Sequence, residues 1–383
     1  MIENRQVSLG ALAVLAVFAI VLNFFFSTQD YQQPWHQEKL EAARLMEKAI
    51  GILREEAPKR GLELNLLDDP NRTGLIGPES SPLVVEQGSL DTKIASTNPN
   101  LAAVFIDMFK HAGLKEGDQV AMALTGSLPG ANIAALSAAT VLKLKPIIIT
   151  ITTSSSWGAS DPRFTWLDME KMLYDQGVIN ARTVAISPSR TDFVSQYLRP
   201  ESIDVVREAF RRNQPLILIE SDNLESGVKK RMEVYEKAAA GEPIRTFLNI
   251  GSPRIVMGSQ QNDIFLRQGL NQAGTLPPLR PMGVMTEMAA KKIPIIHIRD
   301  IRQVIRDYEL PIYPVPLPPV GEGLLFHVNK YSLTQAAWLT LILIGGIALV
   351  ISIDRYIIPP LRERFFPSRE HYNAVLSQEN QKA

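Results

Sequence analysis

Residues 119–152 read QVAMALTGSLPGANIAALSAATVLKLKPIIITIT. An apolar run, Gln119–Leu124, meets a turn carrying Gly126, Pro129 and Gly130; a small-residue apolar stretch of helical length follows, then a second run, Pro146–Thr152. Runs that are apolar at nearly every position suit strands buried on both faces, and a helix between two such strands makes the βαβ unit of a parallel sheet. The alternation continues outward. Runs at Thr183–Ser187, Pro215–Ser221, Thr246–Ile250, Arg254–Met257 and Ile293–Ile298 predict strands, and the stretches 99–113, 130–143, 165–176, 201–212, 224–240, 262–272 and 282–291 predict helices. Together they predict an α/β domain over residues 98–309, with a mainly parallel sheet and helices on both faces.

Two uncharged segments flank this pattern. LGALAVLAVFAIVLNFFF (9–26) and LTQAAWLTLILIGGIALVISI (333–353) each have the length that crosses a hydrocarbon core of roughly 30 Å as a helix. The first lacks a small-residue cleavage site, so it is expected to remain as an anchor. Arg5 precedes it, whereas Asp30, Glu38 and a single lysine, Lys39, follow; Arg355, Arg362, Arg364 and Arg369 follow the second. This bias places residues 1–8 and the tail 354–383 in the cytoplasm and the central region outside the membrane. The inverse topology would make the central domain cytoplasmic. Between the first span and the domain, residues 34–58 carry an amphipathic helical pattern, and 59–97 are rich in Gly, Pro, Asp and Asn, as in an extended or looped segment. Residues 310–332 begin with LPIYPVPLPPVGEG, a proline-stiffened strap leading to the second span.

Composition narrows the function. The chain has 40 basic and 40 acidic residues and no cysteine. Balanced charge gives no general attraction to nucleic acid, and a chain without thiols has neither disulfides nor cysteine catalysis. Recognition by charge must therefore be local.

In open α/β sheets ligands bind beyond the carboxyl ends of the strands. The loops there include TGSLPGAN (125–132), TSSSWGASDPRF (153–164), SPSRTD (187–192) and the pair Arg299–Asp300. The first has neither GxxxxGK[ST] nor GxGxxG, so no phosphate-loop or dinucleotide motif is present. Gly126, Ser127, Gly130 and Asn132 are candidates for a carboxylate-binding turn at a helix start, or for a tight turn that serves packing alone. In the second loop Trp157 offers an amphipathic platform and Arg163 a guanidinium fork; Arg190 offers another fork in the third.

Nucleophilic catalysis would draw on Ser127, Ser154, Ser155 or Ser156, with His297 at a strand end as the base. GxSxG is absent, and a histidine inside an apolar strand also fits a core position. His36, His111, His327 and His371 lie in other settings. No metal-ligand spacing and no cofactor motif appears.

The layout resembles the poly-gamma-glutamate system proteins, in the opening span, in ALTGSLPGANIAALSAATVLKLKPIIITITTSSSWGASDP (123–162), in FLNIGSP (247–253) and in the closing span. The resemblance implies a bacterial membrane protein of poly-γ-glutamate synthesis or export. It further implies partnership with the ligase subunit of the synthase, with its integral-membrane partner and with the anionic polymer in the lipid bilayer's vicinity. It supplies no catalytic residues. Three functions are carried forward: a non-enzymatic accessory component whose extracytoplasmic domain handles the polymer or scaffolds the synthase; an extracytoplasmic serine-dependent hydrolase or transferase acting on γ-glutamyl amide bonds; and, with the inverse topology, a cytoplasmic phosphate- or nucleotide-binding subunit.

Overall fold

Successive residues of the Gln119–Thr125 strand point to opposite faces of a sheet, and all seven are buried. Val120, Met122 and Leu124 join one apolar cluster, Ala121 and Ala123 another. A strand covered on both faces needs helices above and below it. The computed structural model supplies them; it describes residues 7–24, 28–188, 198–259, 262, 265–275 and 282–365.

In chain order the elements begin with α1 (Leu9–Phe24), β1 (Thr28–Gln32), α2 (His36–Lys59), β2 (Val84–Glu86), α3 (Leu90–Ser96) and α4 (Leu101–His111). The sheet region follows as β3 (Gln119–Thr125), α5 (Pro129–Val141), β4 (Lys145–Ile151), β5 (Ser154–Ser155), α6 (Trp166–Asp175), β6 (Thr183–Ser187), α7 (Pro200–Arg212) and β7 (Ile217–Leu218). Then come α8 (Leu224–Ala239), β8 (Ile244–Ile250), α9 (Arg254–Met257), β9 (Gly269–Asn271), α10 (Val284–Ala290), β10 (Ile295–Ile298), α11 (Ile301–Asp307), β11 (His327–Tyr331), α12 (Leu333–Ser352) and α13 (Ile358–Phe365).

The chain divides into a larger unit, Gln32–His327, and a smaller one made of Met1–Tyr31 and Val328–Ala383. In the larger unit the central sheet runs β7-β6-β4-β3-β8-β10-β9. Every pairing is parallel except that of β9 with β10. One face is covered by α2, α4, α5 and α11, the other by α8, α9 and α10. From β3 the chain builds β4, β6 and β7 to one side, then returns to place β8 and β10 on the other. The order therefore reverses between β3 and β8, and the crevice beyond their carboxyl ends is where such sheets bind ligands.

Several local expectations change. Arg254–Met257 is a short helix, not a strand. Within the stretch expected as helix 262–272, Gly269–Asn271 is the antiparallel edge strand. Of Pro215–Ser221 only Ile217–Leu218 forms a strand, and both residues are exposed. The amphipathic helix near residues 34–58 belongs to the larger unit: Ala42, Ala43, Met46, Ala49 and Leu53 are fully buried, and Lys39 Nζ holds Asp107 of α4 at 2.9 Å. Its apolar stripe is a layer of the core because α4 and α5 present a matching one. Residues 59–97 are likewise not merely looped, since β2 pairs in parallel with β5 and α3 follows. The proline strap is tied down where Asn71 Nδ2 donates to Pro314 O at 2.7 Å and Asn100 Nδ2 to Pro319 O at 2.9 Å.

The smaller unit holds a helical stretch, Leu333–Leu361, of 29 residues, whose most apolar 18-residue window has mean hydropathy 2.5, long and apolar enough to cross a bilayer. α1 is apolar but has 16 residues, or about 24 Å at the helical rise, short of a roughly 30 Å hydrocarbon core. Among the described residues there is thus one helix of spanning length, where two were expected. α1 lies against α12, with Phe18 occupying the space that Gly346 leaves for lack of a Cβ, the close approach that small residues permit between apolar helices. Asp354 accepts a hydrogen bond from the Ser8 N–H at 3.0 Å.

Candidate functional site

The turn after β3, Gly251 and Ser252 after β8, and Arg299 and Asp300 after β10 surround a cavity of about 510 Å³. Ser155 enters it from the short strand after β4, and Gly88, Ser89 and Lys93 close it from the segment running into α3. The pairing of Glu86 with Ser155 fixes the backbone on that side. Across from it, the Arg299 and Asp300 N–H groups both donate to Gln268 Oε1, at 2.8 and 2.9 Å. One wall is therefore held by strand pairing and the other by the Gln268 side chain.

At the centre lies Lys93. Its residue is 4% exposed, and its ammonium nitrogen donates to Ser155 Oγ at 2.7 Å and to the Ser127 carbonyl. A lysine that only packs usually buries its stem and leaves its charge in water; here the nitrogen itself is turned inward. Burial pushes its pKa down to about 8, with the Glu86 carboxylate opposing the shift. Ser155 N–H donates to Ser127 Oγ at 3.0 Å, so the two serine loops are clasped around the amine. A Cβ at Gly88 would fall 2.6 Å from Ser156 O, and would also stand 3.1 Å from Ser155 Oγ and 3.2 Å from Lys93 Cε. Glycine there is required first by the close approach of the Ser156 backbone.

Of the residues singled out in the sequence, Ser127 and Ser155 meet at this cavity. Ser154 does not: its hydroxyl is within bonding distance of the Gly126 and Ser155 carbonyls, at 3.0 and 2.8 Å, and serves the loop. Ser156 is buried, and its N–H donates to Glu86 O. Gly130 and Asn132 lie under α3 and the strand end. A Cβ at Gly130 would fall 2.3 Å from Ser96 O, and Asn132 Nδ2 donates to Thr125 O at 2.9 Å. The glycine turn that suggested an anion site is thus a close-packing device at Gly130, and at Gly126 too, where a Cβ would meet Thr153 O at 3.2 Å. Trp157 adopts a left-handed backbone, φ 59°, and its backbone N–H donates to Pro78 O.

Arg163 is engaged elsewhere. Its Nε and one terminal nitrogen hold Asp161 at 3.0 and 2.8 Å and the other terminal nitrogen donates to Gly61 O at 2.6 Å, beside a second cavity. Arg190 and His371 fall outside the described residues. His297 is fully buried on β10, with Nδ1 3.0 Å from Asn249 Nδ2. Burial pushes its pKa down to about 4, which makes it a neutral core histidine, and it does not border the crevice. The triad expected of it with a serine is not assembled. Among the described residues no three His, Asp or Glu side chains gather as a metal site requires.

The residue that sequence reasoning missed is Lys93. Its segment, LDTKIAS, sits in a stretch dominated by turn formers, and the lysine in it reads as a solvated charge. Its place beside Ile94 and Ala95 in a helical turn was the available signal, since Lys93, Ile94 and Ala95 are all buried.

Neither a model of a known protein family nor a curated protein matches the chain. Among solved structures, an archaeal alanine:glyoxylate aminotransferase is similar over 94% of this chain and 71% of its own, at 11% identity and a TM-score of 0.18. An aspartate aminotransferase from Thermus thermophilus, with maleate, is similar over 94% of this chain and 73% of its own, at 8% identity and a TM-score of 0.18. Superpositions this slight carry neither fold nor activity across. What the residues themselves offer is a polar crevice at the sheet's reversal point, with a buried amine, four serines and two arginines on its walls.

Proposed function

We propose that this chain is a membrane-anchored component of bacterial poly-γ-glutamate synthesis or export, with both termini cytoplasmic, and that its larger unit handles the polymer outside the membrane. The observation that carries the proposal is the crevice lined by Lys93, Arg299 and Arg302. Arginine forks suit a chain bearing one carboxylate per residue. Glu86 and Asp300 share the walls, but the Arg302–Asp300 contact is 3.3 Å between side chains that are 44% and 39% exposed. Such a pair is screened and yields to a competing carboxylate. The resemblance to the poly-gamma-glutamate system proteins supplies the identity of the polymer, and with it the ligase and integral-membrane subunits as partners. The apolar Leu333–Leu361 helix and the arginines that follow its core support the anchored topology.

Fluorescently labelled poly-γ-glutamate titrated against the full chain in detergent micelles tests this. Binding should weaken as salt rises. The Arg299→Ala/Arg302→Ala double variant should bind about tenfold more weakly or worse, the loss of a little over 1 kcal/mol. Arg163→Ala should bind as the wild type does, because its guanidinium already serves Asp161. Equal binding by the double variant, or none by the wild type at low ionic strength, would sink the proposal.

A further inference from the structure

We infer that Ser155 and Lys93 form a nucleophile–base pair that cleaves amide bonds of carboxylate-bearing chains in the crevice. That the substrate is acidic rests on the function proposed above; the pair itself rests on geometry alone.

A serine hydroxyl is a weak nucleophile until a neighbouring base takes its proton. His297, the histidine expected for that task, is held in the sheet by Asn249. Lys93 Nζ is 2.7 Å from Ser155 Oγ, within the range proton transfer needs. Its two hydrogen-bond partners here, a hydroxyl and a carbonyl, are both uncharged groups. They do not hold the amine in its ammonium form as a carboxylate in direct contact would, and burial favours the neutral form further. The pH at which it loses its proton, about 8, suits a base working near neutrality.

The placement is equally specific. Ser155 is 4% exposed and borders the cavity. Its backbone is fixed on one side by β2 and on the other by Ser127 Oγ, which keeps the nucleophile on a rigid support. The charged groups that line the cavity with the pair are Glu86, Arg299, Asp300 and Arg302, and of these the arginines are the ones that suit a substrate carboxylate.

The reaction runs in two balanced steps. Neutral Lys93 takes the Ser155 hydroxyl proton as Oγ bonds to the amide carbonyl carbon; the carbon–nitrogen bond then breaks, and Lys93 returns the proton to the departing amine. The acyl group is left as an ester on Ser155. Water entering from the crevice gives one proton to Lys93 and bonds to the ester carbon; the carbon–Oγ bond breaks, and Oγ recovers the proton. The sum is amide plus water giving carboxylic acid plus amine, with no oxidant or cofactor.

The test uses the full chain in detergent with three probes: a fluorophosphonate that labels activated serines, poly-γ-glutamate with new amine ends counted, and γ-glutamyl-p-nitroanilide. The wild type should be labelled at Ser155, and amine release should climb with pH to a plateau above about pH 8. Ser155→Ala should lose the label and slow release at least a hundredfold with an unchanged melting curve. Labelling at another residue, or a wild type that binds polymer yet is neither labelled nor active, would overturn the pair and leave polymer binding standing. Cleavage of the anilide that depends on Ser155, without binding of the polymer, would uphold the pair and remove the polymer proposal.

Discussion

Lys93→Met is expected to make the protein more stable at pH 7 while slowing amide cleavage by about a hundred- to ten-thousand-fold, the usual contribution of a general base. The stability arises from what burial costs the wild type. Desolvation brings the lysine from 10.5 to about 8, and at roughly 1.4 kcal/mol per pKa unit that is a penalty of about 3 kcal/mol. Methionine fills a similar volume without a charge, and the two lost hydrogen bonds, to Ser155 Oγ and Ser127 O, return about 1 kcal/mol each. A net gain of about 1 kcal/mol remains. The sign with pH is distinctive. Because the folded pKa lies below the unfolded one, the penalty is fully present below about pH 8 and disappears as pH rises to 10.5. Wild-type stability should therefore rise across that window, overtaking the flat profile of Lys93→Met. Denaturant unfolding of both chains in micelles from pH 7 to 10.5 measures it, and parallel profiles would contradict a buried, depressed amine.

Asp168→Ala is expected to destabilise the larger unit by about 3–5 kcal/mol, the loss that follows when one partner of a buried ion pair is removed. Asp168 sits in the first turn of α6, where its carboxylate accepts from Thr165 N–H and Oγ at 2.7 Å, closing the helix start. It also takes Arg212 Nε at 2.7 Å and terminal nitrogen at 2.6 Å, and Asn213 Nδ2 at 2.9 Å, from the end of α7. Burial alone would raise its pKa, but Arg212, Asn213 and Thr165 overcome this and hold the carboxyl below its ordinary value. Its contribution is therefore present above the unfolded carboxylate pKa and is lost as pH falls through the folded one. A double-mutant cycle with Arg212→Met, read by urea midpoint, should give a coupling of about 2 kcal/mol or more. Additive losses would show that the pair contributes through packing alone.

The sheet was legible because its central strands are apolar at most positions, and burial on both faces leaves that mark in sequence. β3, α5 and β4 are found where QVAMALTGSLPGANIAALSAATVLKLKPIIITIT places them. The edges were less legible. β7 has two residues and β9 three, too few for a periodicity to form, and the apolar RIVM of α9 fits a strand or a helical turn equally well. At the site, the serines after β3 and β4 followed from the rule that ligands gather at strand carboxyl ends. Their partner did not. Lys93 reaches Ser155 across 62 positions of chain, through the pairing of β2 with β5, and nothing in local sequence encodes that register. The glycines of the opening loop misled for a related reason: at Gly130 the close neighbour is the backbone of α3, and close approach of backbone and approach of a ligand ask the same of a glycine.

The sequence contains no cysteine, so a single introduced thiol reports from one place. Gln303→Cys, on the exposed side of α11 beside the crevice, carries an environment-sensitive fluorophore in the full chain, and Lys229→Cys on α8 carries it away from the crevice. Poly-γ-glutamate should change the emission at position 303 saturably, the change should vanish in high salt, and position 229 should remain silent. An equal response at both positions, or none at 303 under low salt, would contradict the assignment of the crevice as the place where this protein meets an acidic chain.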